Sequence, residues 1–293
     1  MADSENYSVP ENNATKATTE NRESAPYLPF RISLVVIYAV SLLGGTLGVF
    51  FMSRFLRRSK SKLSITTTSI INLVVAHGLF LLTLPFRIDY YISNTWHYPF
   101  DFCKLVSIAI HTHLYISFFF YVAILAVRLL PSLPTRDFYR PQTAFISSAA
   151  VWVLFTISIF PPLWLEYGKS ANYTEKECFK FHSEITGHVV PINITISSVI
   201  IVVSVVILVI QVMVLNRVIR SSQGDLFSRQ EFRAQLKNLS FLIIMILCFL
   251  PYHVFRIYYV QHVGEKGALQ WHNEIYLSIT TLCCLDLLTF LAI

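Results

Sequence analysis

Charge is what this chain has least of. Charged side chains make up 14% of its 293 residues, where a soluble domain carries about 25%, so a solvated globular surface is excluded over most of the length. Nine glycines and twelve prolines are too few for a low-complexity or collagen-like chain. No internal repeat stands out. No His-Glu-x-x-His or Gly-x-Ser-x-Gly string occurs, and no paired carboxylates fall within an apolar stretch, so the common hydrolase chemistries lack their residues. The amino-terminal residues 1–29 have no apolar run of the kind a cleaved signal peptide needs.

What the chain has in abundance is apolar length. Hydrophobic residues are 54% of the total, and seven long apolar stretches run from Phe30 to Ile293. They begin near Phe30, Ile65, Cys103, Thr143, Val189, Gln235 and Leu269, and end near Phe55, Tyr91, Leu130, Leu165, Val218, Val260 and Ile293. Roughly 20 apolar residues at ~1.5 Å each cross a bilayer, so the pattern predicts an all-α membrane protein, a seven-transmembrane helix bundle. Residues 30–293 read as one transmembrane domain. Residues 1–29, rich in Asn, Thr, Ser and Glu, read as a disordered extracellular tail.

The basic charge sorts by side. Arg54, Arg57, Arg58, Lys60, Lys62, Arg128, Arg136, Arg140, Arg217, Arg220, Arg229, Arg233 and Lys237 fall on one face, opposed only by Asp137, Asp225 and Glu231. The positive-inside rule makes that face cytoplasmic and puts the N-terminus outside. The cations ring helix ends and form no stripe on a soluble surface, so they do not point to nucleic acid. Asn6, Asn13 and Asn172 then stand in extracellular N-x-Ser/Thr triplets suited to glycosylation. Cys103 and Cys178 share an oxidising space that favours a disulfide. Cys248, Cys283 and Cys284 read as small packing residues, and no Cys/His spacing along the chain suggests zinc or any other metal.

Several strings sit at fixed places within the spans. The second carries Asn72-Leu73-Val74-Val75-Ala76-His77 and then Leu84-Pro85-Phe86-Arg87; the third opens Phe102-Cys103-Lys104 and ends near Arg128. The fourth holds Trp152 and Pro161-Pro162. The sixth reads Cys248-Phe249-Leu250-Pro251-Tyr252-His253 with Arg256 after it, and the seventh reads Cys284-Leu285-Asp286. Together these strings resemble the rhodopsin-like G protein-coupled receptors, in the branch that holds the purinergic nucleotide receptors. The resemblance covers nearly all of residues 30–293.

It implies a multi-pass plasma-membrane receptor that passes an extracellular signal to heterotrimeric G proteins. No enzyme activity and no cofactor are implied; the expected partners are the G protein, an extracellular ligand and membrane lipids. The departures from the family pattern are equally specific. Thr46 follows Gly45 where Asn is usual, His77 stands for the second-helix Asp, and Val127-Arg128-Leu129 replaces the acid-Arg-Tyr triplet. Phe249 stands for Trp, Leu287 for Pro and Phe290 for Tyr, and the fifth span lacks its Pro. These losses keep a non-signalling or decoy receptor open as an alternative. A transporter is the alternative of another class, though neither paired repeats nor broken mid-membrane helices are visible.

The resemblance also assigns roles. Arg128 would meet the G protein or, at rest, pair with Glu231, and the missing acid beside it predicts raised basal coupling. His77 and Asp286 would face each other at mid-membrane, where an ionisable group is costly and usually partnered. With Ser117 they would occupy the family's sodium site, so weak or absent sodium modulation is expected. Arg87, Lys104, His111, Tyr115, His253, Arg256, His272 and Tyr276 would line an outer, cation-rich pocket for an anionic small molecule or lipid, since Arg binds carboxylate or phosphate through two parallel hydrogen bonds. Pro251 would kink the sixth helix above Phe249 and make it a lever. Leu287 would leave the seventh helix straighter than in the family.

Overall fold

In a computed structural model, the residues described are 27–58, 64–129, 141–169, 176–179, 184–220, 230–263 and 268–292. The first span is α1 (Leu28–Arg58). The second is α2 (Ile65–Leu81) followed by α3 (Leu84–Ser93), and the third is α4 (Phe100–Leu129). The fourth is α5 (Pro141–Glu166), the fifth α6 (Val189–Arg220) and the sixth α7 (Gln230–Gln261). The seventh comprises α8 (Ala268–Ile279), a 3₁₀ segment (Thr280–Leu285) and α9 (Asp286–Ala292). Helices are the answer to lipid, where each backbone N–H and C=O must be satisfied within its own segment.

Six of the seven spans are single apolar runs long enough to cross a bilayer. The seventh is divided by its 3₁₀ segment, so its winding changes just ahead of Leu287. The reason is local. The hydroxyls of Ser278, Thr280 and Thr281 donate to the carbonyls three residues back, Ile275, Leu277 and Ser278, at 2.6–2.7 Å. Such back-bonds compete with the α ladder. Winding at three residues per turn eclipses positions i and i+3, which lines up Thr280, Cys283 and Asp286, all buried.

The second span also breaks, at Leu82–Thr83. Pro85 has no N–H for the ladder and disfavours helical geometry at the residue before it. Thr83 seals the gap by donating both its amide (2.8 Å) and its hydroxyl (2.7 Å) to the Phe80 carbonyl. By contrast the sixth span runs unbroken from Gln230 to Gln261 with Pro251 inside it.

The core gathers Leu34, Tyr38, Leu73, Phe80, Ile110, Tyr121, Phe249 and Leu287 around the third span. Large apolar side chains such as Leu43, Leu82, Phe145 and Leu247 point outward, as befits a surface solvated by lipid. The fourth span is tied to the second by a polar contact, Trp152 Nε1 to Asn72 Oδ1 at 2.8 Å. Gly45 lets the first span approach the seventh closely. A Cβ there would lie 2.9 Å from Leu81 Cδ2 and 3.0 Å from Cys284 Cβ, a small-residue contact of the type that packs membrane helices.

The two ends of the bundle differ. At one, a disulfide joins Cys103 at the start of the third span to Cys178. There Arg31 also clamps the end of the second span, its guanidinium donating to the carbonyls of Tyr91 (3.0 Å) and Ile92 (2.8 Å). The opposite end carries Arg57, Arg58, Arg128, Arg217 and Arg220 in last helical turns.

Candidate functional site

Polar side chains inside the bundle collect at three levels. Below the disulfide, Arg87, Ser107, His111, Tyr167, Phe179, Arg256, Asn273 and Glu274 line a cavity of about 60 Å³. A second cavity, of about 190 Å³, shares His111, Tyr167 and Arg256 with it. That one runs between the fourth and fifth spans past Tyr115, Leu163, Ile192 and Ile196.

Both arginines reach this space from within helices. Arg87 is buried. It donates to Val106 O (3.2 Å) and to Tyr38 Oη (3.4 Å), and lies 4.2 Å over the Phe179 ring. Its Nε is buried without a hydrogen-bond partner. Arg256 donates Nε to Asn193 Oδ1 (3.0 Å) and Nη1 to Asn273 Oδ1 (3.2 Å). Neither guanidinium has a carboxylate within salt-bridge distance among the described residues. Glu274, the acid on the wall of the first cavity, accepts instead from Tyr91 Oη at 3.2 Å, while Glu166 and Glu184 line the second. Asp89, near Arg87 in sequence, faces His97 at 3.6 Å. Burial pushes the Tyr167 phenol up, and its Oη lies 3.4 Å from His111 Nδ1, whose hydrogen is given to the Ser107 carbonyl at 3.0 Å.

Four residues expected in the outer pocket stand elsewhere. Lys104 turns toward the fourth span, over the Phe100 and Trp164 rings and 3.5 Å from the Trp164 carbonyl. His272 is exposed and packs edge-on against Phe30. Tyr276 stacks on Phe255 at 4.7 Å. His253 shares a helix face with Arg256 but lies one turn deeper, where its Nδ1 meets Ser197 Oγ at 3.2 Å. Position along a span fixed their depth, while the side-chain direction sent three of them around the helix and one below the cavity.

At mid-bundle His77 and Asp286 meet. Both are 0% exposed, and His77 Nε2 donates to Asp286 Oδ1 at 3.2 Å. The other carboxylate oxygen accepts from Tyr121 Oη at 2.6 Å. On its far side His77 Nδ1 lies 2.9 Å from His113 Nε2, and His113 Nε2 is 3.6 Å from Cys284 Sγ. Ligand atoms of His77, His113, Cys283 and Cys284 all fall within 4.8 Å of one another. Ser117 Oγ is buried with no hydrogen-bond partner. Phe249 lies close by, its ring 5.9 Å from Phe118 and 5.9 Å from Tyr121.

At the basic end Arg128 Nη1 donates to Asn238 Oδ1 at 3.0 Å. Asn238 Nδ2 donates to Gln235 Oε1 (3.3 Å), which also accepts from Gln211 Nε2 (3.3 Å). A network of Arg128 with three neutral amides thus ties the third, fifth and sixth spans. Glu231, the partner expected for Arg128, lies two turns earlier on the sixth span with its side chain outside the described residues; among the described residues Arg128 donates to Asn238. Asn6, Asn13 and Asn172 also lie outside the described residues.

Sequence reasoning passed over His113, Tyr121, Glu274 and Asn238. His113 and Glu274 carried a usable signal, since an ionisable residue within a span warrants a partner by default.

The chain matches the family model described as 7 transmembrane receptor (rhodopsin family) over residues 32–287. It is 41% identical over 265 residues to the human protein named probable G-protein coupled receptor 141, covering 88% of this chain and 87% of that one. It is 27% identical over 253 residues to human cysteinyl leukotriene receptor 2, covering 84% and 70%. It is 23% identical over 258 residues to lysophosphatidic acid receptor 6 of Gallus gallus, covering 81% and 78%.

Proposed function

The chain belongs to the rhodopsin family of seven-transmembrane receptors, and on that footing we propose that its ligand is an acidic amphiphile held at the disulfide end of the bundle. It is a G protein-coupled receptor of the plasma membrane and not an enzyme. The observation that carries the ligand class is the pair of arginines, Arg87 and Arg256, which line one cavity with only neutral partners among the described residues. Two guanidiniums facing the single carboxylate of Glu274 leave that cavity a net positive wall, which favours an incoming carboxylate or phosphate. The adjoining cavity has polar lining at Glu166, Glu184 and His188 and an apolar flank of Leu163, Val189, Ile192 and Ile196 between the fourth and fifth spans; that flank is a place for an apolar chain. Relatives named for a cysteinyl leukotriene and for lysophosphatidic acid accord with a charged ligand.

The same proposal sets the membrane sidedness. The arginines at the last turns of the first, third and fifth spans favour a cytoplasmic basic end, with the N-terminus and the disulfide outside. An amino-terminal epitope tag that stays dark on intact cells would contradict this. The G protein would meet the Arg128 end, where the Asn238 bond holds the third and sixth spans together at rest.

The test is nucleotide exchange on purified G protein with the receptor in nanodiscs. A panel of acidic lipids and nucleotides is compared with esterified or dephosphorylated counterparts. Acidic members should activate, and Arg256→Gln should weaken their potency about tenfold or more, the scale of a lost charge-assisted bond. An activating ligand as potent on Arg87→Gln and Arg256→Gln as on the wild type would overturn the assignment.

A further inference from the structure

We propose that His77, His113, Cys283 and Cys284 form a transition-metal site, suited to Zn²⁺, that staples the second, third and seventh spans at mid-bundle. All four residues are buried, and one ligand atom from each lies within 4.8 Å of the other three. Tetrahedral zinc with Zn–N of about 2.05 Å and Zn–S of about 2.3 Å places two nitrogens about 3.4 Å apart, and a nitrogen and a sulfur about 3.6 Å apart. The observed separations are 2.9 Å for His77 Nδ1 to His113 Nε2 and 3.6 Å for His113 Nε2 to Cys284 Sγ. Opening the first by about half an ångström, and drawing in the widest separation of up to 4.8 Å by about an ångström, admits the ion.

The neighbours of the cluster fit the role. Asp286 accepts from His77 Nε2, which fixes the tautomer whose Nδ1 lone pair faces the site; a carboxylate behind a ligating histidine is the recurrent outer support of such centres. Tyr121 in turn fixes Asp286 through its 2.6 Å bond. The His113 ring is held flat against Phe80, with centroids 4.2 Å apart. Two imidazoles and two thiols are a donor set that soft and borderline ions take, not Mg²⁺ or Ca²⁺. On binding, each cysteine yields its thiol proton to water as its sulfur–metal bond forms. The two thiolates then cancel the charge of a divalent ion, which favours retention in a low-dielectric interior. No electrons change hands.

The adjacent cysteines owe their place to the 3₁₀ segment. Its three-residue turn sets Cys283 in line with Thr280 and Asp286, facing the polar core, with Cys284 beside His113. That is why the site is invisible as a spacing motif. Its ligands come from residues 77, 113, 283 and 284, gathered only by the bundle.

The experiment uses the full chain, purified in nanodiscs, stripped with a chelator and then exposed to Zn²⁺ alone. Elemental analysis after desalting should find about one zinc per chain in the wild type. The same value should hold for Cys248→Ser, a buried cysteine outside the cluster, and the zinc should be lost in Cys283→Ser/Cys284→Ser and in His113→Ala. Co²⁺ in place of Zn²⁺ should show thiolate-to-metal charge-transfer absorption in the wild type only. If those variants do not fold, the wild type decides: Zn²⁺ should raise its thermal midpoint, as any ligand of the native state does. Absence of retained zinc together with an unmoved midpoint overturns the site, and so does undiminished zinc in the double cysteine variant. None of these readouts depends on the extracellular ligand or on G protein.

Discussion

Replacing Asn238 with Ala should raise signalling in the absence of ligand. In the resting bundle Arg128 of the third span gives its Nη1 hydrogen to Asn238 Oδ1 of the sixth at 3.0 Å. Asn238 is buried and Arg128 only half so. A hydrogen bond to a charged group contributes about 1.5–3 kcal/mol, and partial exposure of the guanidinium puts this one near the lower figure. If opening the basic end breaks the bond, its removal shifts the resting-to-active equilibrium by about 1.5 kcal/mol, or roughly tenfold. While the active form is scarce, the basal rate follows its population, so ligand-free nucleotide exchange rises by about that factor. Asn238→Asp, which turns the bond into an ion pair, should lower exchange below the wild type. The assay is GTP analogue uptake by purified heterotrimer at matched receptor density. Exchange by Asn238→Ala within about twofold of wild type would refute the reasoning, because so small a shift means the bond does not distinguish the two states.

Two further outcomes concern stability. Gly45→Val should lower the thermal midpoint by the equivalent of about 1–3 kcal/mol, an overpacking cost. Its Cβ alone would sit 2.9 Å from Leu81 and 3.0 Å from Cys284, and an unchanged midpoint by intrinsic tryptophan fluorescence would show that the spans yield without cost. Tyr121→Phe removes the 2.6 Å donor to the buried Asp286 carboxylate and should destabilise by about 1–3 kcal/mol. A midpoint equal to wild type would mean that Asp286 does not need that donor.

The architecture was legible because lipid demands it. Long apolar stretches admit almost no other solution, and the described span ends lie close to where the polar residues resume. The Cys103–Cys178 bridge was likewise readable, from one cysteine at the start of the third span and one in the loop after the fourth. Depth along a span was legible too: Arg87, His111 and Arg256 lie at one level because rise per residue is fixed. Azimuth was not. Lys104 and Tyr276 occupy suitable depths yet turn onto Trp164 and Phe255, a choice made by packing between helices. The 3₁₀ segment was hidden because its cause, three hydroxyls bonding backward, competes with an α ladder that the same residues also permit. Once the register of the seventh span changed, Cys283 and Cys284 changed meaning with it.

That short segment also holds a reserve of travel. Six residues rising ~2.0 Å each would contract by about 3 Å, and rotate the helix beyond them by about 120°, on rewinding to α geometry at ~1.5 Å and 100° per residue. The stroke would be delivered at one edge to Asp286–Ala292, which abuts the basic end, and at the other to the polar core. The seventh span therefore contains its own screw thread. A distance probe between the first span and residues 286–292 would read whether turning it accompanies activation.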